Sequence, residues 1–496
     1  MPGTFFGIEI ARRGINVHRT ALDTTGHNIA NANTAGYTRQ EAVLQTTTPY
    51  ATPGINSSVT PGQLGSGVEV TEMRRIRDDY LDYQLRGNIS GGGYWQSNYD
   101  IAIRVEATYP EPDGRGIKDV MVQFFNDWQN LNNTPRDPGI KAAVVETGNE
   151  LAALFRQSYE QLDSINKSIK SDNLVTGDGF YPGNDIIATG MLRDQFNQVN
   201  NILSQIANLS DSIVQVKKVD QQPNDLLDKR DLLLDQLSGF GPLTTRDVGS
   251  SGAIAIDFYG QAVLTVDSAT EESTAAKLLP TWDSTSEKVI VKYDDSVGTT
   301  AFNLTDMAID PGNTKGSILG LEAARLNTLS ILDNLNSLAH RLADEVNGKE
   351  VLQDSLGNVI DFFIIDPTDT ARTIKVNSTA VVDPGKVVGE KALEVARLHS
   401  AATIDTNGDG ITDTTFDSFF ESIIAKVGGD TKSAQELVAN QRAIRGQIEA
   451  LRESVSGVSL DEELTKLIQF QYGFQASSRV INTLDDMLDV IINRLF

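Results

Sequence analysis

The same seven-residue apolar repeat runs through both ends of this chain, with more than 400 residues between the two copies. Ile8, Ile15, Leu22 and Ile29 recur at strict sevens near the start. Leu460, Leu467, Phe474, Ile481, Leu488 and Leu495 do the same at the end. A sustained heptad obliges a helix to find a partner helix, because the apolar seam stays in register only when two helices wind together. Each terminal helix therefore pairs either with the other or with a copy in a neighbouring subunit. A chain whose ends pair while its middle bulges outward suits polymerisation through those ends.

Charge agrees with that division of labour. The net charge is −25, from 42 basic and 67 acidic residues. Residues 1–90 hold eight of each sign, and 431–496 hold seven basic and nine acidic, so nearly all the excess lies in the middle. Near-neutral ends can crowd together in an assembly without like-charge repulsion, and the acidic middle faces solvent. Clustered Lys and Arg are absent, which argues against nucleic acid as a partner. No run of eighteen apolar residues occurs, so membrane insertion is not expected, and Met1–Ile10 lacks the apolar stretch of a cleaved secretory signal. There is no cysteine, which removes disulfides, thiolate metal sites and thiol nucleophiles together.

Periodicity predicts a first helix over 5–33, closed by the turn residues Asn31, Asn33 and Gly36, then an extended arm from Tyr37 to Val70. Three-four apolar spacing dominates 91–238 and returns at 317–347, implying a rod-like helical bundle. Residues 243–310 alternate in short segments between Gly and Ser clusters, which is strand chemistry. A second β-rich patch covers about 350–382. Further helices are expected at 389–402, 415–427, 431–456 and 459–494. The fold class is thus α-rich multidomain (α+β). Its domains are 1–90 with 431–496 as a terminal helical core and arm, 91–242 with 311–430 as a mainly helical bundle, and 243–310 as an inserted antiparallel β domain.

The segment His27-Asn-Ile-Ala-Asn-Ala-Asn-Thr-Ala-Gly-Tyr-Thr-Arg-Gln40 resembles the signature of bacterial flagellar axial proteins, and its Tyr-Thr-Arg-Gln ending looks most like the hook-associated protein 1 family. Asn224–Gln236 and Gly457–Gln471 resemble two further blocks of that family. Ala35 departs from the family's usual Pro. The resemblance implies a structural subunit, exported without signal cleavage, that forms a ring joining hook to filament. Its partners would be its own copies, the hook protein, the second hook-filament junction protein and a cytosolic export chaperone at the C-terminal helix. Asn28, Asn31, Asn33 and Tyr37 join the heptad residues as candidate assembly contacts. Gly473 interrupts the last helix and reads as tolerated there rather than required.

One stretch carries metal chemistry. Asp405, Asn407, Asp409, Ile411 (through its carbonyl) and Asp413 match five positions of a calcium loop, but Phe416 stands where a bidentate Glu is needed. Asx-rich turns build such sequences without metal, so the expectation is no cofactor, with calcium as a weak candidate. The four histidines are scattered and no nucleophile or phosphate-loop pattern occurs, so no enzyme is expected. The alternatives are another axial protein (hook, rod or second junction protein) or, from a different class, a secreted calcium-dependent adhesin.

Overall fold

The structure is a computed structural model that describes residues 5–49, 64–109, 115–176, 186–249, 251–294, 299–405 and 412–493. In chain order, α1 (Phe6–Asn31) leads through β1 (Gln40–Thr46) and β2 (Val68–Arg75) to α2 (Asp79–Glu106), α3 (Ile117–Asn133) and α4 (Pro138–Ile169). Then come β3 (Ser171–Thr176), β4 (Ile186–Thr189), α5 (Met191–Lys217) and α6 (Asn224–Phe240). A strand-rich stretch follows: β5 (Leu243–Val248), β6 (Ala253–Phe258), β7 (Gln261–Val266), β8 (Ser273–Ala275), β9 (Leu278–Asp283), β10 (Lys288–Tyr293) and β11 (Thr300–Asn303). It gives way to α7 (Leu304–Ile309) and α8 (Ser317–Asn347). Short elements come next: β12 (Leu352–Gln353), β13 (Val359–Ile360), β14 (Phe363–Ile364), α9 (Thr370–Thr373), β15 (Lys375–Val376), α10 (Ser378–Val382) and α11 (Ala392–Ala396). Two long helices close the chain, α12 (Phe416–Ser456) and α13 (Leu460–Asn493). The architecture is α-rich and multidomain.

The chain divides into two compact units. One comprises 1–89, 199–276 and 442–496, and the other 90–198 and 277–441. In the first unit α1 packs along α13, the antiparallel β1–β2 ribbon lies against α1, and β5–β8 form a four-stranded antiparallel sheet. In the second, α3, α4 and α8 pack together around an aromatic core in which Trp128, Phe124, Phe155, Phe362, Phe363, Phe416 and Phe420 are fully buried. Its five-stranded sheet runs β11-β10-β9-β4-β3. Lys170 stacks over the Trp282 ring of β9 at 3.4 Å from the centroid. Beside it, the buried pair Glu322–Arg325 closes at 2.6 Å.

Two expectations from periodicity meet a different structure. Residues 243–310 contribute to two sheets rather than one: β5–β8 keep to themselves, whereas β9–β11 pair onward to β4 and β3. The reason lies in β9, where Leu278, Leu279, Pro280 and Thr281 are all buried. A strand covered on both faces sits inside a sheet and needs partners on both edges, and here the second partner comes from far back in sequence. The break expected between 427 and 431 is also absent, since α12 runs continuously through Gly428 and Gly429. Each glycine weakens a helix by about 1 kcal/mol. The buried line Phe416, Phe420, Ile423, Val427, Thr431 and Ala434 outweighs that cost.

A candidate assembly site in the terminal core

The two terminal helices form an antiparallel pair, and its contacts step evenly. Gly7 faces Leu484, Gly14 faces Ser477, and His18 faces Gly473. Asn28 donates to Glu463 at 2.9 Å. Small residues fill the seam: Ala11, Gly14, Val17, Ala21, Thr24 and Thr25 are buried on α1. Gly473 lies at a close approach of the two helices, because a Cβ there would stand 2.5 Å from the His18 ring, which would have to shift. The heptad residues flank this seam instead of filling it. Ile8, Ile15, Leu22 and Ile29 on α1, with Leu467, Phe474, Ile481 and Leu488 on α13, are half-buried, and Leu460 is 49% exposed. Leu495 lies outside the described residues.

Asn28 sits where the pair meets the arm. It is buried, and its side-chain amide uses its whole hydrogen-bonding capacity. Nδ2 donates to the Gln40 carbonyl and to Glu463, each at 2.9 Å. Oδ1 accepts from the Tyr37 hydroxyl at 2.8 Å and from the Gln40 amide at 3.0 Å. Asn31 makes only local bonds, to the His27 carbonyl and to Thr34, and so closes the helix. Asn33 is exposed. Gly36 takes a φ of +78° that favours glycine, and a Cβ there would press on Leu232 at 3.3 Å.

The four residues of Tyr37–Gln40 tie the arm to α1, α6, α12 and α13. Burial, then the nearby Asp225, Asp228 and Glu463 carboxylates, push the Tyr37 hydroxyl pKa up, so it stays a protonated donor. The Thr38 amide donates to Asp228 at 2.9 Å. Arg39 pairs with Glu462 at 2.9 Å, and its amide donates to the Ser456 carbonyl. The Gln40 side chain bridges Asp225 and Asn224 of α6. The segments 27–40, 224–236 and 457–471 thus converge on one node.

Behind the node lies a closed ring of alternating charge that sequence reading missed. Asp231 meets Arg77 at 3.1 Å and Arg86 at 3.4 Å. Arg86 continues to Asp235 at 2.8 Å, Asp235 to Arg452 at 2.7 Å, and Arg452 to Asp82 at 3.5 Å. Asp82 returns to Arg77 at 2.5 Å. Arg75 branches from Asp231 to Asp228. Burial raises the Asp231 pKa, but Arg77, Arg75 and Arg86 together outweigh it and hold the carboxylate below its usual range. The signal available in sequence was the run of aspartates at three- and four-residue spacing in 225–235, which puts several carboxylates along neighbouring faces of one helix.

Residues 102–175 and 187–358 match the family described as flagellar hook-associated protein FlgK helical domain. Residues 452–495 match the flagellar basal body rod FlgEFG protein C-terminal family, and residues 8–38 the flagella basal body rod protein family. The chain is 28% identical to flagellar hook-associated protein 1 of Bacillus subtilis over 523 aligned residues, covering 99% of each chain. It is 22% identical to the protein of that name in Salmonella typhimurium, covering 98% of this chain and 99% of the other. The chain belongs to the flagellar hook-associated protein 1 family. The solved flagellar hook junction protein FlgK from Burkholderia pseudomallei shares its fold, with a TM-score of 0.58 and 14% identity over 75% of this chain and 100% of the other. In this family context the node joins the two rod-type terminal segments to α6 of the hook-associated helical domain.

The calcium-loop candidate falls mainly elsewhere: Asn407, Asp409 and Ile411 lie outside the described residues, while Asp405 and Asp413 flank the isolated Ile404–Thr414 bridge. Among the described residues, no group of three or more His, Cys, Asp or Glu side chains is placed to hold a metal.

Proposed function

We infer that this chain is a structural subunit of the bacterial flagellar hook-filament junction and acts by assembling through its terminal helix pair. One observation carries the reading: α13 buries one face against α1 and leaves a second apolar face bare. Leu464, Ile468, Tyr472, Val480 and Met487 are each between 48% and 67% exposed. An apolar stripe of this length on a long helix is an interaction surface. Copies of the same chain packed side by side in a ring would cover it. The hook protein on one side and the second junction protein on the other are the neighbours such a ring would meet.

The same bare face needs cover before assembly, which is the task of a cytosolic chaperone bound to the C-terminal helix. The subunit would leave the cell through the flagellar export route without signal cleavage and end up outside the cell in the flagellum. No described helix is long and apolar enough to cross a membrane. The mechanism is mechanical coupling, with no catalysis and no cofactor invoked.

Deleting the chain from its flagellated host tests this reading. Hooks should persist while filament subunits are shed into the medium, and re-expression should restore attached filaments. Filaments that attach normally without the chain would overturn it.

A further inference from the structure

We propose that two non-repeating contacts, Asn28 with Glu463 and His18 with Gly473, select the single register in which the terminal helices pair. The proposal rests on the reading of α1 and α13 as the assembling core.

A heptad seam cannot choose its own register, since sliding one helix by seven residues brings like against like. Sliding leaves Ile8, Ile15, Leu22 and Ile29 facing equivalent heptad positions of α13. The glycines of α1 do not choose either. Gly7 receives Leu484 and Gly14 receives Ser477. A one-heptad slip sets Gly14 against Leu484, or Gly7 against Ser477, and each is the kind of contact already present.

The two pins behave differently. Slipped one way, Asn28 meets Phe470; slipped the other way, Glu463 meets Ala21. In each case a buried polar group loses its partner across the seam; Glu463, only 1% exposed in the observed register, would keep only Lys466 of its own helix, at 3.0 Å. His18 needs the missing side chain of Gly473, because a Cβ there would lie 2.5 to 2.8 Å from three of its ring atoms. One slip sets His18 against Val480, the other against Lys466, and neither offers a hole. A lone polar contact in an apolar seam is the best-attested device for fixing register.

The consequence reaches the arm. The Asn28 amide that meets Glu463 also holds both backbone groups of Gln40. A slipped pair would strip Asn28 of its Glu463 partner, so correct pairing completes the node that docks Tyr37–Gln40.

The chain has no native cysteine, so introduced pairs report register directly. In the purified full-length chain, Gly14→Cys with Ser477→Cys should close an intrachain disulfide under mild oxidation. Gly14→Cys with Leu484→Cys, and Gly7→Cys with Ser477→Cys, report the two slips and should stay open, because their Cα atoms are too far apart. Adding Glu463→Leu and His18→Ala should lower the preference for the observed register by roughly tenfold or more and close the slipped pairs. Glu463→Gln, which still accepts from Asn28, should keep the parent pattern. Slipped pairs that stay open in the Glu463→Leu/His18→Ala background would overturn the proposal. A parent chain whose Gly14–Ser477 pair fails to close would instead overturn the terminal pairing itself.

Discussion

The backbone amide of Thr38 donates to the Asp228 carboxylate at 2.9 Å, across 190 residues of chain. That bond fastens the turn after the first helix to the helix carrying the charge ring, and Asp228 also holds Arg75 at 2.9 Å. One carboxylate thus compensates a part-buried guanidinium and an orphan amide together.

Asp228→Ala should destabilise the unit containing the terminal pair by about 3 kcal/mol, the usual cost of stripping one partner from a buried ionic contact. Glu150→Ala, which removes an exposed pair with Arg115 (side chains 39% and 59% exposed, respectively), should cost less than about 1 kcal/mol. Urea unfolding of both variants beside the parent measures the difference. Equal effects would show that the node carries no special stability.

Acid should act on this unit in two separate windows. His18 is lowered from its ordinary pKa by burial, so its folded form binds protons less readily than the unfolded chain. Its contribution is complete above the ordinary histidine range and is lost as pH falls through the folded pKa. Asp231 is also lowered, by its three arginines against the opposing effect of burial. Its contribution holds above the ordinary carboxylate range and disappears only in stronger acid. Hydrogen exchange of α1 amides from pH 8 to 5 should show protection falling, and His18→Gln should flatten that fall.

Much of this fold could be read from periodicity. Periodicity alone predicts a helix at 317–347, and α8 spans Ser317–Asn347, because a long apolar stripe needs no distant information to declare itself. The strand stretch 243–310 could be read only as strands. Which edge β9 would join depends on β4, about ninety residues earlier, and a local pattern carries no record of a remote partner. The terminal pairing was visible as a requirement, yet its seam was not: heptad counting draws the eye to Ile15 and Leu22, while Gly14 and Ala21 one step away are buried. Close approach favours small residues, which hydropathy counts ignore. The charge ring was hidden for another reason: Arg77, Asp82, Asp231 and Arg452 look like solvated surface until the fold brings them together and covers them in part.

Gly473→Ala separates two effects of opposite sign. On a lone helix it would stabilise by about 1 kcal/mol, but here the added methyl meets the His18 ring, and overpacking costs roughly 1 to 3 kcal/mol. The net effect should be destabilising. His18→Ala should reverse it, so that the double variant shows strong coupling in a thermal-unfolding cycle. A Gly473→Ala chain more stable than its parent would mean that the contact yields freely.

Millimolar calcium should leave the melting temperature unchanged, since Phe416 replaces the bidentate ligand the loop would need. A rise that follows calcium concentration, as binding to the folded state requires, would instead revive the 405–413 loop as a metal site.

If the bare face of α13 joins copies together, Ile468→Asp combined with Tyr472→Asp should separate them. Both side chains are more than half exposed, so the free full-length chain should keep its circular dichroism and its melting temperature. In cells carrying only this variant, filament subunits should be lost to the medium instead of attaching to hooks. Normal filament attachment by a chain bearing both carboxylates would show that this face does not hold the junction together.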